Sequence, residues 1–332
     1  MEFKANFEFH FCFIIMSYQL IISHNFSNIP EETFNFQRYF FNEIEHLQHQ
    51  CEDNDCYTFY WQNADNQTID GRFSVIIQNK IAFSPLRATF GGIEFHENIS
   101  EKGLLRFLSK IIFFLQSLKI ESLVINSYPE GYLTEYQNKI LQNSLLKLRF
   151  QVKYTEQNFE ISVTDKSFYE IVIGSTAKQL LRTYVKKRYF FQQEFNPDFV
   201  IIHAFIARSR ERKNRPMTMN LEQLTGHFKK FPKNFQIFSV THSDIIVAVG
   251  ITITINDNIL YTFYLADDEN YLKDSPTIFL LSGIYDYAKQ NNYKILDFGI
   301  ATDKGILNEG LARFKQSLGA KISEKKAYFL WV

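Results

Sequence analysis

Arg87, Gly91, Gly92 and Glu94 stand close together between a strand-like run, Ile81–Phe83, and a helix-like run that opens after Ser100. In an open α/β sheet that position is a crevice, and a carboxylate there can act as general base. The competing reading is a glycine turn carrying a solvated acid. Asp297 sits at the end of an otherwise apolar strand, Ile295–Gly299. It either orients an acceptor amine and takes its proton or caps a neighbouring helix. Tyr264 lies in the strand before Ser275-Pro276, where its hydroxyl can donate to a substrate carbonyl, although a tyrosine in so aromatic a chain is usually core or rim. Thr302 and Lys315 offer a hydroxyl and an ammonium to a phosphate or carboxylate, whereas Asn308 reads first as the cap of the last helix. Ser275, also read as a cap, and Arg208, in a basic run, complete the set of donor- and substrate-side candidates.

His46, His49, Cys51 and Cys56 form the only metal-like cluster, and their spacing matches no standard zinc pattern. The two histidines fit the polar side of a helix built on Phe41, Ile44 and Leu47, so no metal is expected. No Ser/His/Asp or Cys/His arrangement indicates a covalent mechanism.

Those side chains need a scaffold, and 332 residues suffice for two ordinary domains. Lysine plus arginine and aspartate plus glutamate both number 36, so no global field drives the chain onto nucleic acid or an anionic membrane. Any such contact must be local. Three cysteines, Cys12, Cys51 and Cys56, are too few for a disulfide framework and favour a reducing compartment, with the cytoplasm as default. The apolar stretch Phe7–Ile22 carries Glu8 and His10 and lacks a small-residue cleavage site, so it reads neither as a signal peptide nor as a span. Met16 opens a more ordinary sequence, and residues 1–15 read as an artefact of start-codon choice.

The order of elements repeats. Tyr57–Trp61, Phe73–Ile77 and Ile81–Phe83 read as an antiparallel meander. Ser100 then caps a helix with a stripe at Leu104, Leu108, Ile111, Leu115 and Leu118. Strand Ser122–Asn126, a helix around Tyr136–Leu148 and a strand to about Val163 follow. The second set is Phe235–Val240, Ile245–Ile255, Ile259–Leu265, a helix after Ser275-Pro276, strand Ile295–Gly299, helix Asn308–Leu318 ended by Gly319, and strand Ala327–Val332. Each half is β-β-β-α-β-α-β, which predicts an α/β fold of two mixed, mostly antiparallel sheets flanked by helices. The expected domains are 16–166 and 167–332, the second opening with a largely helical basic stretch that holds Lys186-Lys187-Arg188, Arg208, Arg210, Arg212, Lys213 and Arg215. Clustered cations can bind phosphates of a nucleotide or of tRNA, but such a run is more often a solvated face.

The tail Leu296-Asp297-Phe298-Gly299, with Gly310-Leu311-Ala312-Arg313-Phe314-Lys315 and Gly319-Ala320, resembles the end of FemAB-like and bacterial GNAT-type acyltransferases. Ala82-Phe83-Ser84-Pro85, Phe90-Gly91-Gly92 and Ser275-Pro276 add to the resemblance, which spans about residues 50–332. It implies two tandem GNAT-like halves and an enzyme that moves an acyl or aminoacyl group from an activated donor to an amine or hydroxyl acceptor. By analogy the acceptor is an amino sugar or peptide of cell-envelope synthesis. The donor is acetyl-CoA or another acyl-CoA as co-substrate, with no firmly bound cofactor, or aminoacyl-tRNA. The glycine-rich loop that cradles the pyrophosphate of CoA in GNAT enzymes has no counterpart: Asp267–Pro276 contains no glycine and is acidic. That absence also leaves open a non-catalytic binding protein that keeps the double fold.

Overall fold

The computed structural model describes residues 18–184 and 186–332, so the expectation for residues 1–15 and Cys12 lie outside the described residues. The N-terminal half comprises β1 (Tyr18–His24), α1 (Ile44–Cys51), β2 (Asp55–Asn63), β3 (Thr68–Gln78), β4 (Ile81–Ser84), the short β5 (Glu94–Phe95), α2 (Glu101–Ser117), β6 (Ser122–Asn126), α3 (Glu135–Lys147) and β7 (Gln151–Ser162). A connecting stretch carries α4 (Phe168–Ile171), α5 (Ser175–Tyr184), β8 (Tyr189–Gln193), α6 (Phe199–Arg212) and α7 (Leu221–Lys230). The C-terminal half comprises β9 (Phe235–His242), β10 (Ile245–Asn256), β11 (Ile259–Asp267), α8 (Pro276–Gln290), β12 (Ile295–Ile300), the small hairpin β13 (Thr302–Asp303) and β14 (Ile306–Leu307), α9 (Glu309–Ser317) and β15 (Lys321–Trp331).

The predicted repeat is present as β2-β3-β4-α2-β6-α3-β7 and β9-β10-β11-α8-β12-α9-β15. The local signals act as their chemistry dictates. Ser100 accepts from the Gly103 amide, Asn308 from the Leu311 amide, and Gly319 takes φ +89° just past α9.

All of the main strands join one continuous sheet in the order β1-β2-β3-β4-β6-β15-β7-β12-β11-β10-β9-β8, with β5 added against β3. Only β4–β6 and β11–β12 pair in parallel among these neighbours. The last strand of each half has crossed into the other. β15 lies between β6 and β7, and β7 lies against β12. Each core therefore contains side chains from the opposite half: Tyr328 and Leu330 pack with Trp61, Leu104 and Phe107, while Phe159 and Ile161 pack with Leu260, Leu281 and Ile284. The β7–β15 register sets Glu160 opposite Lys321, Asn158 opposite Ser323 and Glu156 opposite Lys325, a polar ladder in the middle of the sheet. A third cluster, with Tyr39, Phe90 and Tyr132 against Ile206, Ile251 and Tyr264, joins the two halves.

Several sequence expectations need correction. Ser275 does not cap α8: its backbone is left-handed and its hydroxyl donates to the Leu272 carbonyl. His46 is not on a polar helix side but buried among Phe40, Phe41 and Phe231, its Nδ1 bonded to Gln50. Leu118 ends α2 partly exposed rather than extending the buried stripe. Lys186-Lys187-Arg188 forms a turn leading into β8, not a helical face. Among the described residues no helix is long and apolar enough to cross a membrane.

Because neither core is complete without the other half's last strand, the two halves should unfold together. Urea denaturation followed by tryptophan fluorescence and by far-UV circular dichroism is expected to give one coincident transition. Two separated transitions would show that the exchanged strands do not couple the cores.

Candidate functional site

The parallel pairing of β11 with β12 lasts only three residues, from Ile259–Ile295 to Tyr261–Asp297. Beyond it the strands part: β11 stays on β10 as far as Asp267, while β12 follows β7 through Gly299 and Ile300. The gap opens into a cleft of about 620 Å³, walled by β11, the end of β12, the start of α9 and the end of α6. Leaving a partner exposes main-chain groups. Asp268 donates its amide to Val247 on β10, whereas the Asp267 amide turns the other way, to Ser209 Oγ. Strand alternation then places the Leu265 amide on the open edge, facing the cleft.

At the root of the cleft lies Asp297, fully buried. Its carboxylate accepts from Tyr132 Oη (2.6 Å), Asn158 Nδ2 (2.9 Å) and the Gly299 amide (2.6 Å), and its own carbonyl accepts from Thr262 Oγ1. Burial raises its pKa, opposed by those donors and by the nearby Lys315 ammonium. The amide bond that Asp297 draws back from Gly299 accompanies a register shift against β7 and φ +72° at Gly299, a backbone that glycine adopts readily.

Lys315, on α9, reaches the same spot. Its Nζ donates to the carbonyls of Gly299 (2.9 Å) and Ile300 (2.8 Å), and it lines the cleft. Burial pushes its pKa down to about 7, with Asp297 opposing and Arg215 adding to the fall. Glu160 moves up to about 7, chiefly through burial and then through Asp297, and burial takes Lys325 down to about 8. At the rim, Arg212 and Lys213 pair with Asp267 at 2.5 and 2.8 Å, and Arg210 lies over the Tyr264 ring. Arg215 is exposed and makes no ion pair among the described residues.

The equivalent opening in the N-terminal half, where β4 and β6 end, is closed. Gly91 bridges Ser127 in parallel and donates to the Asn126 carbonyl, and the Gly92 amide donates to Ser84 Oγ. A Cβ on Gly91 would stand 2.8 Å from the Pro85 nitrogen, so only glycine lets this loop lie in the gap. Glu94, expected as a base in that crevice, is instead buried against Arg72, Nε to Oε2 at 2.6 Å and Nη2 to Oε1 at 3.0 Å, and also accepts from the Tyr39 amide. Arg87 pairs with Glu52 on the surface. The Arg87–Glu94 group is thus a plug and its anchor, and faces no open cleft. Replacing Arg72 by leucine while Glu94 remains should cost about 3–5 kcal/mol, because it strands a buried carboxylate. The double change Arg72→Met with Glu94→Leu should recover most of that in the same urea titration.

Of the other expected residues, Asp297 and Lys315 come together, and Ser275 and Asn308 line the cleft, Asn308 while capping α9. Thr302 accepts from the Gln157 amide and so ties the chain after β12 to β7. Tyr264 is buried, its hydroxyl bonded to Thr218. Arg208 is exposed on α6 in a separate shallow pocket with Arg212 and Glu269. Among the described residues no three histidine, cysteine or carboxylate side chains gather to hold a metal. Tyr132, Asn158, Tyr261 and Leu265 escaped sequence reasoning. Asn158 had a signal, since Glu156, Asn158 and Glu160 alternate along a strand in the centre of the sheet.

The Lys315 shift has a pH consequence. Between pH 7 and its ordinary value of 10.5 the unfolded chain holds a proton on Lys315 that the folded chain lacks, so stability rises with pH across that window. Below pH 7 both states are protonated and this dependence vanishes. Lys315→Met should remove about one proton's worth of the rise, read from urea unfolding at pH 7 and pH 9.5. An unchanged slope would place the folded amine near its ordinary pKa.

No protein-family model and no curated protein matches the chain. Solved structures do. A crystal structure of FemX, 12% identical, is matched over 88% of this chain and 92% of that one with a TM-score of 0.69. L-PGS from Bacillus licheniformis, 8% identical, matches over 85% and 86% with 0.53. A tandem GNAT protein from the clavulanic acid biosynthesis pathway, 7% identical, matches over 84% of each chain with 0.51. At these identities the likeness concerns the fold, and together with the repeated β-β-β-α-β-α-β order it establishes that this chain has the FemAB-like double GNAT fold.

Proposed function

We propose that the chain transfers an acyl or aminoacyl group from an activated donor to an amine or hydroxyl acceptor in the cleft between β11 and β12. The observation that carries this reading is the parting of the two strands above a buried Asp297 and a buried Lys315, the lysine held on the Gly299 and Ile300 carbonyls, which leaves directed donors where a carbonyl oxygen would gain charge. The acceptor attacks the donor carbonyl carbon, the ester or thioester bond breaks, and the acceptor's proton ends on the leaving oxygen or sulfur. The Leu265 amide and the Lys315 ammonium, which has a third proton beyond the two given to carbonyls, stabilise the oxyanion. Asp297 is a positioning residue: it fixes Gly299 and, through it, the carbonyls that hold Lys315.

The approach to α8 supports an aminoacyl ester over an acyl-CoA as donor. A short 3-10 turn, Glu269–Asp274, occupies the stretch where a pyrophosphate would need a cradle of amides, and Asp267, Asp268, Glu269 and Asp274 surround it. Pro276 opens the helix without an N–H. An amino sugar or a peptide of the cell envelope is the acceptor class that the family resemblance of the tail motif implies.

Purified protein would be given mixed aminoacyl-tRNA or acetyl-CoA in parallel, with amino sugars and short peptides as acceptors, and new amides or esters followed by mass spectrometry. Product is expected from aminoacyl-tRNA, and Lys315→Met should lower the rate by about 10²–10³-fold with its circular dichroism unchanged. The proposal is sunk if the wild-type protein consumes neither donor faster than buffer alone, which would favour a non-catalytic binding protein.

A further inference from the structure

The end of the sheet next to the cleft carries exposed apolar side chains that no other described residue covers. The antiparallel register brings the end of β15 beside the starts of β6 and β7: Trp331 faces Ser122, Phe329 faces Gln151, and the Val332 amide donates to the Glu121 carbonyl. The last turns of α2 and α3 arrive at the same end, because each leads directly into β6 or β7. Trp331 is 71% exposed, Leu146 73% and Ile306 76%, with Val152 and Leu118 also open to solvent. Ile306 belongs there because its hairpin runs back along β7: the Lys304 amide donates to Glu156, and Gly305 lies against Tyr154 and Thr155. The next residue but one, Asn308, is already cleft wall. Ile306 therefore brings exposed apolar surface to the same end of the sheet, two residues from the cleft wall.

The charge around this surface is mainly positive, with two exposed acids, Asp303 and Glu121, the latter paired with Lys80. Lys119, Arg149, Lys153 and Lys304 are exposed and none takes part in an ion pair among the described residues. Exposed tryptophan and branched aliphatics between lysines and arginines match a phospholipid interface, where the rings and methyls enter the headgroup layer and the cations meet lipid phosphates. A nucleic acid would match the cations but leave Leu146, Ile306 and Val152 in water. We propose that this end of the protein docks on the surface of an anionic phospholipid bilayer, holding the cleft mouth beside the headgroups. With a balanced net charge, any such attraction is local and short-ranged.

The protein carries its own reporter. It has two tryptophans, and the other, Trp61, is completely buried. Full-length protein would be titrated with vesicles of phosphatidylcholine containing phosphatidylglycerol, with vesicles of pure phosphatidylcholine, and with bulk tRNA. With anionic vesicles a blue shift of emission and quenching by brominated acyl chains are expected, lost in Trp331→Phe, while Arg149→Glu with Lys153→Glu should weaken sedimentation with vesicles at least tenfold. Both substitutions lie at exposed positions, and unchanged circular dichroism will certify folding. The proposal is overturned if Trp331 emission does not move, even when the protein sediments, since binding would then use another surface. It is equally overturned if tRNA, but not vesicles, shifts Trp331. This outcome is separable from transfer activity, which the docking surface does not supply.

Discussion

A carboxylate with no access to water must be met by donors fixed in space, and the way Asp297 is met organises the molecule. Its donors come from three places: Tyr132 after β6, Asn158 on β7, and its own strand at Gly299. Two belong to the N-terminal half, so the carboxylate is satisfied only when β7 has crossed over and lies against β12. Tyr132 is held in turn by Tyr39, whose hydroxyl donates to its carbonyl and whose amide donates to Glu94, the partner of Arg72. A polar path thus runs from a buried ion pair in one half to a buried acid in the other. Leaving any of these groups unmatched in a low-dielectric interior would cost more than a typical hydrogen bond returns.

The same constraint explains why two halves of equal topology differ in openness. Each has a parallel strand pair that ends early. In the N-terminal half the exposed edges are used up by the chain itself, as the 85–95 loop lays Gly91 and Gly92 into the gap and the Thr89 carbonyl takes the Lys325 ammonium. In the C-terminal half the residues after β11 turn away into an acidic 3-10 turn, and the edges stay free. One copy of the scaffold is closed by its own chain, and the other is left open as a cleft. The loop between the third strand and the following helix decides which is which.

How much of this could be read from the chain depended on the range of the interactions. Ser122–Asn126 was legible to the residue, and the caps at Ser100 and Asn308 and the glycine after α9 were legible because they are contacts between residues three or four apart. The Asp297–Lys315 proximity was legible only through the family resemblance of the tail. The strand exchange was not, since no local rule states which strand a terminal segment will join. Its trace was nonetheless present in the alternation Glu156, Asn158, Glu160 against Lys321, Ser323, Lys325, which makes sense only if the two strands are neighbours. Glu94 misled for a related reason: a carboxylate after two glycines reads as solvated or catalytic until Arg72, 22 residues earlier, is known to lie beside it. His46 misled because helical spacing counts faces but does not say what packs on them.

The exchange also bears on how a cleft can be both open and precise. A site at a parting of strands needs a floor that does not spread when a substrate enters. Here β12, which bears Asp297 and Gly299, is gripped on its far side by β7, and β7 is gripped by β15 across nine matched residues, from Lys321–Glu160 to Phe329–Gln151. Had each half kept its own last strand, the floor would be backed by a strand continuous with α9, which also supplies Lys315, and movement of one would move the other. Backing β12 with a strand from the opposite half separates the floor from the helix that brings the cation. The Lys315 ammonium reaches its carbonyls from α9, while Asp297 is fixed by donors from the opposite half. A fixed floor where the charge is buried and an open edge beside it follow from one topological choice.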